Sequence, residues 1–385
     1  MFLIKNKNSI LLATSGARSN ILNMSTNFVA KSMIVKKEEV VRFIKDCMIK
    51  AGANNDDSII VADHLMTADY RGHFSHGMNR VPMYVTDIQK KLTDPIARPQ
   101  IINDYQAIAL VDGQNGLGQV IGKYSMELAI DKAKKFGIGM VSTRGSNHYG
   151  ICGYYTLMAA NEGLIGFSCT NTSPLQVPTR SCESALGTNP LSIAMKSNND
   201  EFVLDMATTA VALGKIEIAS RKNEKIPDGW AFDKIGNMTN DANEALESAR
   251  LLPLGGIENN SGYKGYGLAV MVEILCGIIS GSKFGPNIRN WKTSDGIADL
   301  GHCFIAINPN VFCPGSHDRM NKLLDQLRGM PTNSNERVMV AGDPENASIK
   351  HVDQVGGITY HENQIKACNE LAETLGVMKL QLNQI

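Results

Sequence analysis

A short polar stretch around residue 75 holds the side chains of this sequence that are best suited to acid–base chemistry. If the chain is helical after Ser75, then His76, Arg80 and Tyr84 recur every four residues and share one face of the helix. A guanidinium binds a carboxylate through two parallel hydrogen bonds, and an imidazole exchanges a proton near neutral pH. The spacing is typical of a pocket wall for a small carboxylic acid, although a solvated polar helix face would show it too.

Two other chemistries use the same residue types and have weaker support. His73 and His76 stand three residues apart, which suits two ligands of one metal ion, but no acidic residue or third histidine follows at the offset of a zinc protease motif. Ser75 directly precedes His76, yet the sequence has no G-x-S-x-G motif of a hydrolase. We therefore expect no metal site, and a metal-dependent hydrolase using His73, His76 and His148 is the rival from another enzyme class.

A glycine-rich segment further along has the outline of a phosphate-binding loop. Gly116, Gly118 and Gly122 form a G-x-G-x-x-x-G pattern between a predicted strand and a predicted helix, with Asp131 downstream. This order suggests a nucleotide-binding βαβ unit. The spacing is loose, however, and a glycine turn at any junction between a strand and a helix would produce the same pattern.

Composition excludes several classes of function. The 385 residues include 43% hydrophobic and 20% charged residues, which is typical of a globular protein. Basic and acidic residues number 38 each, so no net positive charge is available to bind nucleic acid. The most apolar segment, residues 265–281, is shorter than a membrane span and contains Glu273, so we interpret it as a buried helix and expect no membrane partner. The eight cysteines include no C-x-x-C pair, as expected of reduced thiols.

The start of the chain is basic. Residues 1–37 contain six lysine or arginine residues, and the first acidic residue is Glu38. We interpret residues 1–32 as a basic extension, which is either a mitochondrial transit peptide or a ragged disordered tail. The expected location is therefore mitochondrial or cytoplasmic.

Hydrophobic spacing gives the order of the elements. Helices are predicted over residues 37–51, 56–72, 119–136, 149–161, 265–281, 316–328 and 361–376, with a further helical segment after residue 77 that Pro82 kinks. Strands are predicted over residues 107–113, 138–142, 165–170, 191–194, 202–204, 302–308 and 337–341. Asp56 or Asp57 is expected to cap the second helix. Strands and helices mix throughout, which indicates a layered α/β protein.

Several longer motifs together resemble the type-2 malate/L-lactate dehydrogenase family. They are residues 69–77 (DYRGHFSHG) with Arg80 and Tyr84, 111–119 (VDGQNGLGQ), 146–150 (SNHYG) with 153–155 (GYY), 187–190 (GTNP), 204–208 (LDMAT), 263–268 (YKGYGL) with Glu273, and 342–345 (GDPE). They follow the family's order from about residue 33 to the C-terminus. The resemblance therefore covers nearly everything except the basic extension.

The resemblance implies an α/β fold of three layers around a mixed central sheet, not a Rossmann fold, with helical N- and C-terminal parts. Residues 33–105 would form a helical substrate and dimer region, residues 106–310 the cofactor-binding mixed-sheet domain, and residues 311–385 a C-terminal region packed back on the core. The glycine run at residues 116–122 then becomes a structural turn. A homodimer is expected.

The resemblance also assigns site residues. The family's catalytic residues fall on Ser75, His76, His148 and Asp205, the last as the carboxylate of a charge relay. Its substrate-binding residues fall on Arg80, Tyr84, Thr188 and Asn189. Its cofactor contacts fall on Thr172, Ser173, Pro174, Met206, Ala207, Lys264, Gly342, Asp343, Pro344 and Glu345. The loop over residues 256–262 is longer than the family pattern just before Lys264.

The activity that the resemblance implies is hydride transfer between NAD, or alternatively NADP, and a small 2-hydroxy or 2-oxo acid, with malate/oxaloacetate or L-lactate/pyruvate as the first expectation. The family includes sulfolactate and ureidoglycolate dehydrogenases and cyclic imine (piperideine-2-carboxylate) reductases, so a ureidoglycolate dehydrogenase or an imine reductase is the alternative. Either His76 or His148 would transfer the proton, and the sequence does not choose between them. A cofactor-binding protein without catalysis is disfavoured, because both histidines are present with Arg80 and Asp205.

Overall fold

Twelve β-strands and eleven α-helices make up the part of the chain that the structure, a computed structural model, describes: residues 32–290, 296–333 and 335–382. The strands are β1 (Ser32–Val35), β2 (Gln100–Tyr105), β3 (Ile108–Asp112), β4 (Ile138–Ser146), β5 (Ile165–Thr170), β6 (Leu191–Lys196), β7 (Glu201–Met206), β8 (Ala231–Phe232), β9 (Met238–Thr239), β10 (Arg250–Leu251), β11 (Leu300–Ile307) and β12 (Ile358–His361). The helices are α1 (Lys37–Ala51), α2 (Asn55–Tyr70), α3 (Val81–Gln89), α4 (Gly118–Phe136), α5 (Cys152–Asn161), α6 (Leu213–Lys222), α7 (Ala242–Ser248), α8 (Gly262–Glu273), α9 (Ser316–Arg328), α10 (Asp343–Val355) and α11 (Glu362–Leu375).

A seven-stranded mixed sheet forms the centre, in the order β2-β3-β4-β11-β5-β6-β7. Strands β3 and β4 run parallel, joined through α4, and the other neighbours in this sheet are antiparallel. Two small sheets, β1-β12 and β10-β8-β9, lie outside it. The expected mixed sheet is confirmed, and the nucleotide-binding interpretation of residues 116–122 is wrong, because a single parallel pair does not make a doubly wound sheet.

Helices cover both faces of this sheet. Successive side chains of a strand point to opposite faces, and β11 shows the alternation clearly. Phe304 and Ala306 are buried against α4 and α5, whereas Cys303 is buried against α8 together with Cys276. The three-layer architecture follows from this two-sided burial.

A separate helical layer is built from both ends of the described chain. Side chains of α1, α2, α3 and α11 share one buried core, which includes Phe43, Leu65 and Tyr360. Strand β1 pairs with β12 in the register Ser32 to His361, so the first and last parts of the fold are joined. The loop between α2 and α3 emerges from this layer toward the central sheet.

Many of the expected elements are confirmed. The predictions for α1 and α9 match the observed bounds, and those for α4 and α11 match within one residue. The predicted buried helix over residues 265–281 is α8, continued by a π-helical turn, Ile274–Ile278. In the described ranges, no helix is long and apolar enough to cross a membrane.

Three local predictions are wrong. Residues 337–341 do not form a strand, and the 342–345 motif that follows them lies at the N-terminal end of α10. Asn54, not Asp56 or Asp57, caps α2 by accepting a hydrogen bond from the Asp57 N–H. Pro82 does not kink a helix but lies in the first turn of α3, where its missing N–H costs no hydrogen bond.

Two predictions about organisation stay untested. The basic extension over residues 1–32 lies, apart from Ser32, outside the described residues, and Ser32 itself belongs to β1. The division into regions at residues 33–105, 106–310 and 311–385 remains a prediction.

Candidate active site

The loop between α2 and α3 folds as two consecutive 3-10 turns, Phe74–His76 and Met78–Arg80. Asp69, buried near the end of α2, accepts a hydrogen bond from the Met78 N–H over 2.9 Å and so holds the start of the second turn. Gly77 allows this approach, because a Cβ atom there would lie 1.9 Å from Asp69 Oδ1. The prediction that His76, Arg80 and Tyr84 share one face of a single helix is therefore wrong, because the three side chains come from two 3-10 turns and α3.

These side chains nevertheless line one deep cleft between the helical layer and the central sheet. Its cavity volume is about 310 Å³. Lining residues with chemically active side chains include Ser75, His76, Arg80, Tyr84, His148, Thr172, Ser173, Thr188 and Asp205. Apolar side chains, among them Met83, Leu117 and Leu175, complete the wall.

The two histidines face each other in the cleft. Their ring centroids are 5.6 Å apart and the ring planes differ by 23°. Ser75 Oγ lies 2.9 Å from His76 Nδ1, and the Tyr84 hydroxyl lies 2.7 Å from His148 Nδ1. Each imidazole thus has one nitrogen engaged by a neighbouring hydroxyl.

The cleft favours the uncharged form of both imidazoles. Burial, followed by the positive charge of Arg80, lowers the pKa of His76 to about 3. Burial and then the neighbouring His76 and Arg80 hold the pKa of His148 well below its ordinary value. At neutral pH both rings are therefore neutral and able to take part in hydrogen bonds as donor and acceptor.

Arg80 itself is tied to the loop that carries it. Its Nε donates to the Ser75 carbonyl oxygen over 2.5 Å. This hydrogen bond fixes the guanidinium beside the two histidines, at the position where the resemblance implies a carboxylate-binding arginine.

Asp205 lies at the end of β7 and also lines the cleft. Its Oδ2 accepts a hydrogen bond from the Gly153 N–H, at the start of α5, over 2.6 Å. Burial raises the pKa of Asp205, and the nearby His73 opposes that rise. The structure thus brings the carboxylate to the cleft, while its part in a charge relay with Ser75 and His76 stays a prediction.

The threonine-rich wall carries several residues assigned by the resemblance. Thr172 and Thr188 line the cleft, and their hydroxyl oxygens are 3.3 Å apart. Ser173 also lines it and donates to the Arg289 carbonyl oxygen over 2.7 Å. Asn189 lies behind this wall, fully buried, where it accepts from the Thr172 N–H and donates to Glu273. Asn189 therefore supports the wall instead of lining it.

The other expected cofactor contacts fall in two groups. Met206 and Ala207 line the cleft. Pro174, Lys264 and residues 342–345 are not among its lining residues in the described part of the chain. Lys264 is exposed on α8. Gly342 caps α10 with a φ of 104°, and Asp343 forms an ion pair with Arg328. Glu345 Oε1 lies 3.6 Å from His73 Nε2.

Sequence reasoning missed several residues near the histidines. Arg289 and Asp87 form a buried ion pair in the cleft wall, with 2.5 Å between Nη2 and Oδ2. Gln119 donates to the Tyr84 hydroxyl over 2.8 Å. His64 accepts from the Ile151 N–H over 2.9 Å, beneath the segment that carries His148. Only Gln119 had a signal in the sequence, as the last residue of the 111–119 motif and the first residue of a predicted helix.

The arrangement does not provide an obvious metal site. Across the residues that the structure covers, no group of three His, Cys, Asp or Glu side chains is placed to hold a metal ion. His73 and His76 are close in sequence, but His73 is directed toward Glu345 and His76 toward Ser75.

Comparison with known proteins identifies the family to which this chain and its fold belong. The family model described as malate/L-lactate dehydrogenase matches residues 35–369. The malate dehydrogenase of Pyrococcus abyssi is 40% identical over 352 residues, which cover 90% of this chain and 96% of that protein. The L-sulfolactate dehydrogenase of Methanocaldococcus jannaschii is 40% identical, over 88% of this chain and 97% of that protein. The solved structure of malate dehydrogenase from Pyrococcus horikoshii superposes with a TM-score of 0.84 at 38% identity, covering 91% of this chain and 97% of that one.

The chain is thus an oxidoreductase acting on a CH–OH group, of the class that combines a small carboxylic acid with a nicotinamide cofactor. It belongs to the malate/L-lactate dehydrogenase family.

Proposed function

We propose that this enzyme interconverts a small 2-hydroxy acid and the corresponding 2-oxo acid, with malate/oxaloacetate as the first substrate pair and L-lactate/pyruvate as the second. The observation that carries the proposal is the convergence of Arg80, His76 and His148 in one cleft. The similarity to proteins named malate and L-sulfolactate dehydrogenase supports a substrate with a second anionic group at C3.

Arg80 provides the anchor for the substrate. Its guanidinium can hold the C1 carboxylate through two parallel hydrogen bonds, which fixes the direction of the C2 oxygen as well. Binding a carboxylate there also offsets the positive charge that disfavours imidazolium at His76. Substrate binding is therefore expected to raise the pKa of His76.

The imidazoles supply acid–base chemistry. An uncharged imidazole can accept the hydroxyl proton of a 2-hydroxy acid and return it when the 2-oxo acid is reduced. The apolar wall strengthens the hydrogen bonds between the imidazoles and the C2 oxygen, because the local dielectric constant is low.

The cleft fits a nicotinamide ring and its ribose beside the substrate. Thr172, Ser173 and Thr188 place three hydroxyl groups along one wall, and Met206 and Ala207 provide an apolar surface next to them. When bound, the cofactor supplies or accepts the hydride. We propose NAD as the cofactor, with NADP as the alternative. Because a dinucleotide is elongated, its remaining contacts are proposed at Pro174, Lys264 and residues 342–345, beyond the cleft.

A homodimer is proposed as the working assembly. Apolar side chains are exposed along α8 and the π-helical turn that follows, with Tyr263 50% exposed, Ile274 48% and Ile278 54%. An apolar surface of this kind is typical of an interface between subunits. Light scattering on the purified protein tests the proposal, and a monomer at micromolar concentration would contradict it.

The test of the activity is oxaloacetate-dependent oxidation of NADH and of NADPH, with pyruvate, a 3-sulfonated 2-oxo acid and a cyclic imino acid alongside. Turnover of oxaloacetate supports the proposal and shows which nucleotide is used. Turnover of the imino acid alone would refute it in favour of the imine reductase. Inactivity on all four, combined with oxidation of ureidoglycolate, would identify a ureidoglycolate dehydrogenase instead.

A further inference from the structure

His148 is connected to the start of α4 by a chain of buried polar side chains. Gln119, in the first turn of α4 and only 1% exposed, donates from Nε2 to the Tyr84 hydroxyl over 2.8 Å. The Tyr84 hydroxyl lies 2.7 Å from His148 Nδ1. Gln119, which also lines the cleft, is thus connected to the imidazole through one phenol.

The direction of these hydrogen bonds follows from the donors available. A backbone N–H can only donate, and the N–H of Gly150 is directed at His148 Nδ1 over a long distance of 3.4 Å, which favours an acceptor at Nδ1 without fixing it. The oxygen of Tyr84 receives the N–H of Gln119, which leaves its own proton for Nδ1. An uncharged imidazole that accepts at Nδ1 carries its single proton on Nε2.

The glycine run places Gln119 within reach of this chain. A Cβ atom at Gly118 would lie 2.4 Å from the His148 carbonyl oxygen and 2.5 Å from that of Asn147, so only glycine allows α4 to begin against this segment. Asn147 Nδ2 closes the contact by donating to the Gly116 carbonyl oxygen over 2.8 Å. The glycines at residues 116–122, which suggest a phosphate loop in the sequence, therefore allow the start of α4 to pack against the segment that carries His148.

We infer that Gln119 is a positioning residue, which acts through Tyr84 to fix His148 as the tautomer that carries its proton on Nε2. The inference rests on the proposed function in one respect, namely that this N–H would donate to the C2 oxygen of the substrate and polarise the carbonyl group. In this tautomer His148 has no free nitrogen to accept a proton. The proton exchange then falls to His76: as the alcohol is oxidised, its O–H bond breaks, an N–H bond forms on that imidazole, and the C2 hydride leaves to the oxidised nicotinamide.

The decisive variant is Gln119→Glu, which keeps the length of the side chain and reverses the hydrogen bonds. At pH values high enough to ionise the introduced carboxyl group, it cannot donate, so the Tyr84 hydroxyl turns toward it and the Tyr84 oxygen becomes an acceptor for His148 Nδ1–H. We expect nitrogen NMR of histidine-labelled protein, with the His148 signals assigned from their loss in His148→Ala, to show the Nε2–H tautomer in the wild type and the Nδ1–H tautomer in Gln119→Glu. We also expect kcat for the 2-oxo acid to fall roughly 10- to 100-fold, as is common when a partner that orients a functional side chain is lost.

Two further variants complete the design. Gln100→Glu makes the same chemical change on the exposed strand β2 and is expected to leave the tautomer and kcat as in the wild type. Gln119→Met removes the donor without adding an acceptor, and a mixture of both tautomers is expected from it even if Gln119→Glu fails to fold. A single Nε2–H tautomer in Gln119→Glu or in Gln119→Met, or an Nδ1–H tautomer in the wild type, would overturn the inference.

The NMR result does not depend on any substrate. If the tautomer reverses in Gln119→Glu while none of the 2-oxo acids is turned over by the wild type, the positioning role stands and the proposed function fails. If the wild type reduces oxaloacetate and the His148 tautomer is unchanged in Gln119→Glu, the proposed function stands and the positioning role of Gln119 fails.

Discussion

The carboxyl group of Asp69, behind the loop between α2 and α3 that carries His76, allows a test of how burial changes a pKa near the active site. The carboxyl group is fully buried, its Oδ2 accepts from the Met78 N–H and the Tyr360 hydroxyl, and its Oδ1 has no hydrogen-bond partner. Burial raises the pKa of Asp69 to about 7, and the two hydrogen bonds only partly oppose the rise. Asp69→Asn keeps one oxygen to accept from both donors and removes the charge.

The expected magnitude follows from the two pKa values. In the unfolded chain the carboxyl ionises near its ordinary value of 3.8, whereas in the folded protein it stays protonated up to about pH 7. Because the folded-state pKa is the higher one, stability is present at low pH and is lost as the pH rises. Each pH unit between the two values costs about 1.4 kcal/mol, so we expect a loss of about 2–3 kcal/mol between pH 5 and pH 8 from this residue.

The assay is urea denaturation of wild type and Asp69→Asn at several pH values in this range, at one protein concentration. The quantity to follow is the difference between the free energies of unfolding of the two proteins. Burial lowers the pKa values of His64, His76 and His302 to about 3, so these residues destabilise both proteins as the pH falls. Their contribution cancels in the difference. Asp56→Asn, at an exposed site of the same helix, is the matched control. Parallel pH curves for wild type and Asp69→Asn would refute the assignment of a raised pKa to this carboxyl.

Three further predictions concern the proposed chemistry and the start of the chain. Arg80→Met should raise KM for oxaloacetate about 10- to 100-fold, and Arg80→Lys less, because a lysine keeps the charge but not the paired hydrogen bonds; equal KM values in steady-state kinetics would remove Arg80 from the carboxylate site. His76→Ala and His148→Ala should each lower kcat by about 10²- to 10⁴-fold, and near-wild-type turnover of both would contradict the proton exchange assigned to His76 and the hydrogen bond to the C2 oxygen assigned to His148. Deleting residues 1–31 should leave kcat unchanged, since Ser32 in β1 is the first residue that the described fold uses; if a fluorescent protein fused to residues 1–32 fails to enter mitochondria, the transit-peptide interpretation is excluded.

The sequence predicts well where local patterns decide the structure. The apolar spacing of α1 and its stop at Gly52 define that helix to the residue. The short apolar run of β5 likewise predicts its strand over residues 165–170, because runs of this length between turn residues have few other ways to be buried.

Prediction fails where tertiary contacts override local preference. The β-rich composition of residues 337–341 suggests a strand, but in the structure the Ala341 carbonyl accepts from the Val203 N–H at the edge of the sheet, while both backbone groups of Val340 are bonded to Asp343 at the start of α10. The helical spacing of His76, Arg80 and Tyr84 is broken because Asp69 holds Met78 and forces a tight turn at Gly77.

Within the site, residues that lie far apart in sequence could be found only through the family resemblance. The pairing of Tyr84 with His148 spans the helical layer and the sheet, and no spacing rule connects the two. The same limit applies to Asn189, since the chain around it gives no sign that its amide faces Glu273 instead of the cleft.

The Tyr360 hydroxyl donates to Asp69 over 2.7 Å, and this contact bears on when the active site can form during synthesis of the chain. Strand β12 carries Tyr360 and pairs with β1. The hydroxyl group that supports Asp69, and with it the loop between α2 and α3, therefore comes from a segment made more than 300 residues after the start of the fold. Contacts at such sequence separation form late, because the intervening chain must be ordered first. A ribosome-bound chain that ends before β12 can complete the central sheet, but it lacks the Tyr360 hydroxyl, which donates to the Asp69 carboxyl group behind the turn between His76 and Arg80. We therefore expect the enzyme to gain activity only after its C-terminal segment has left the ribosome.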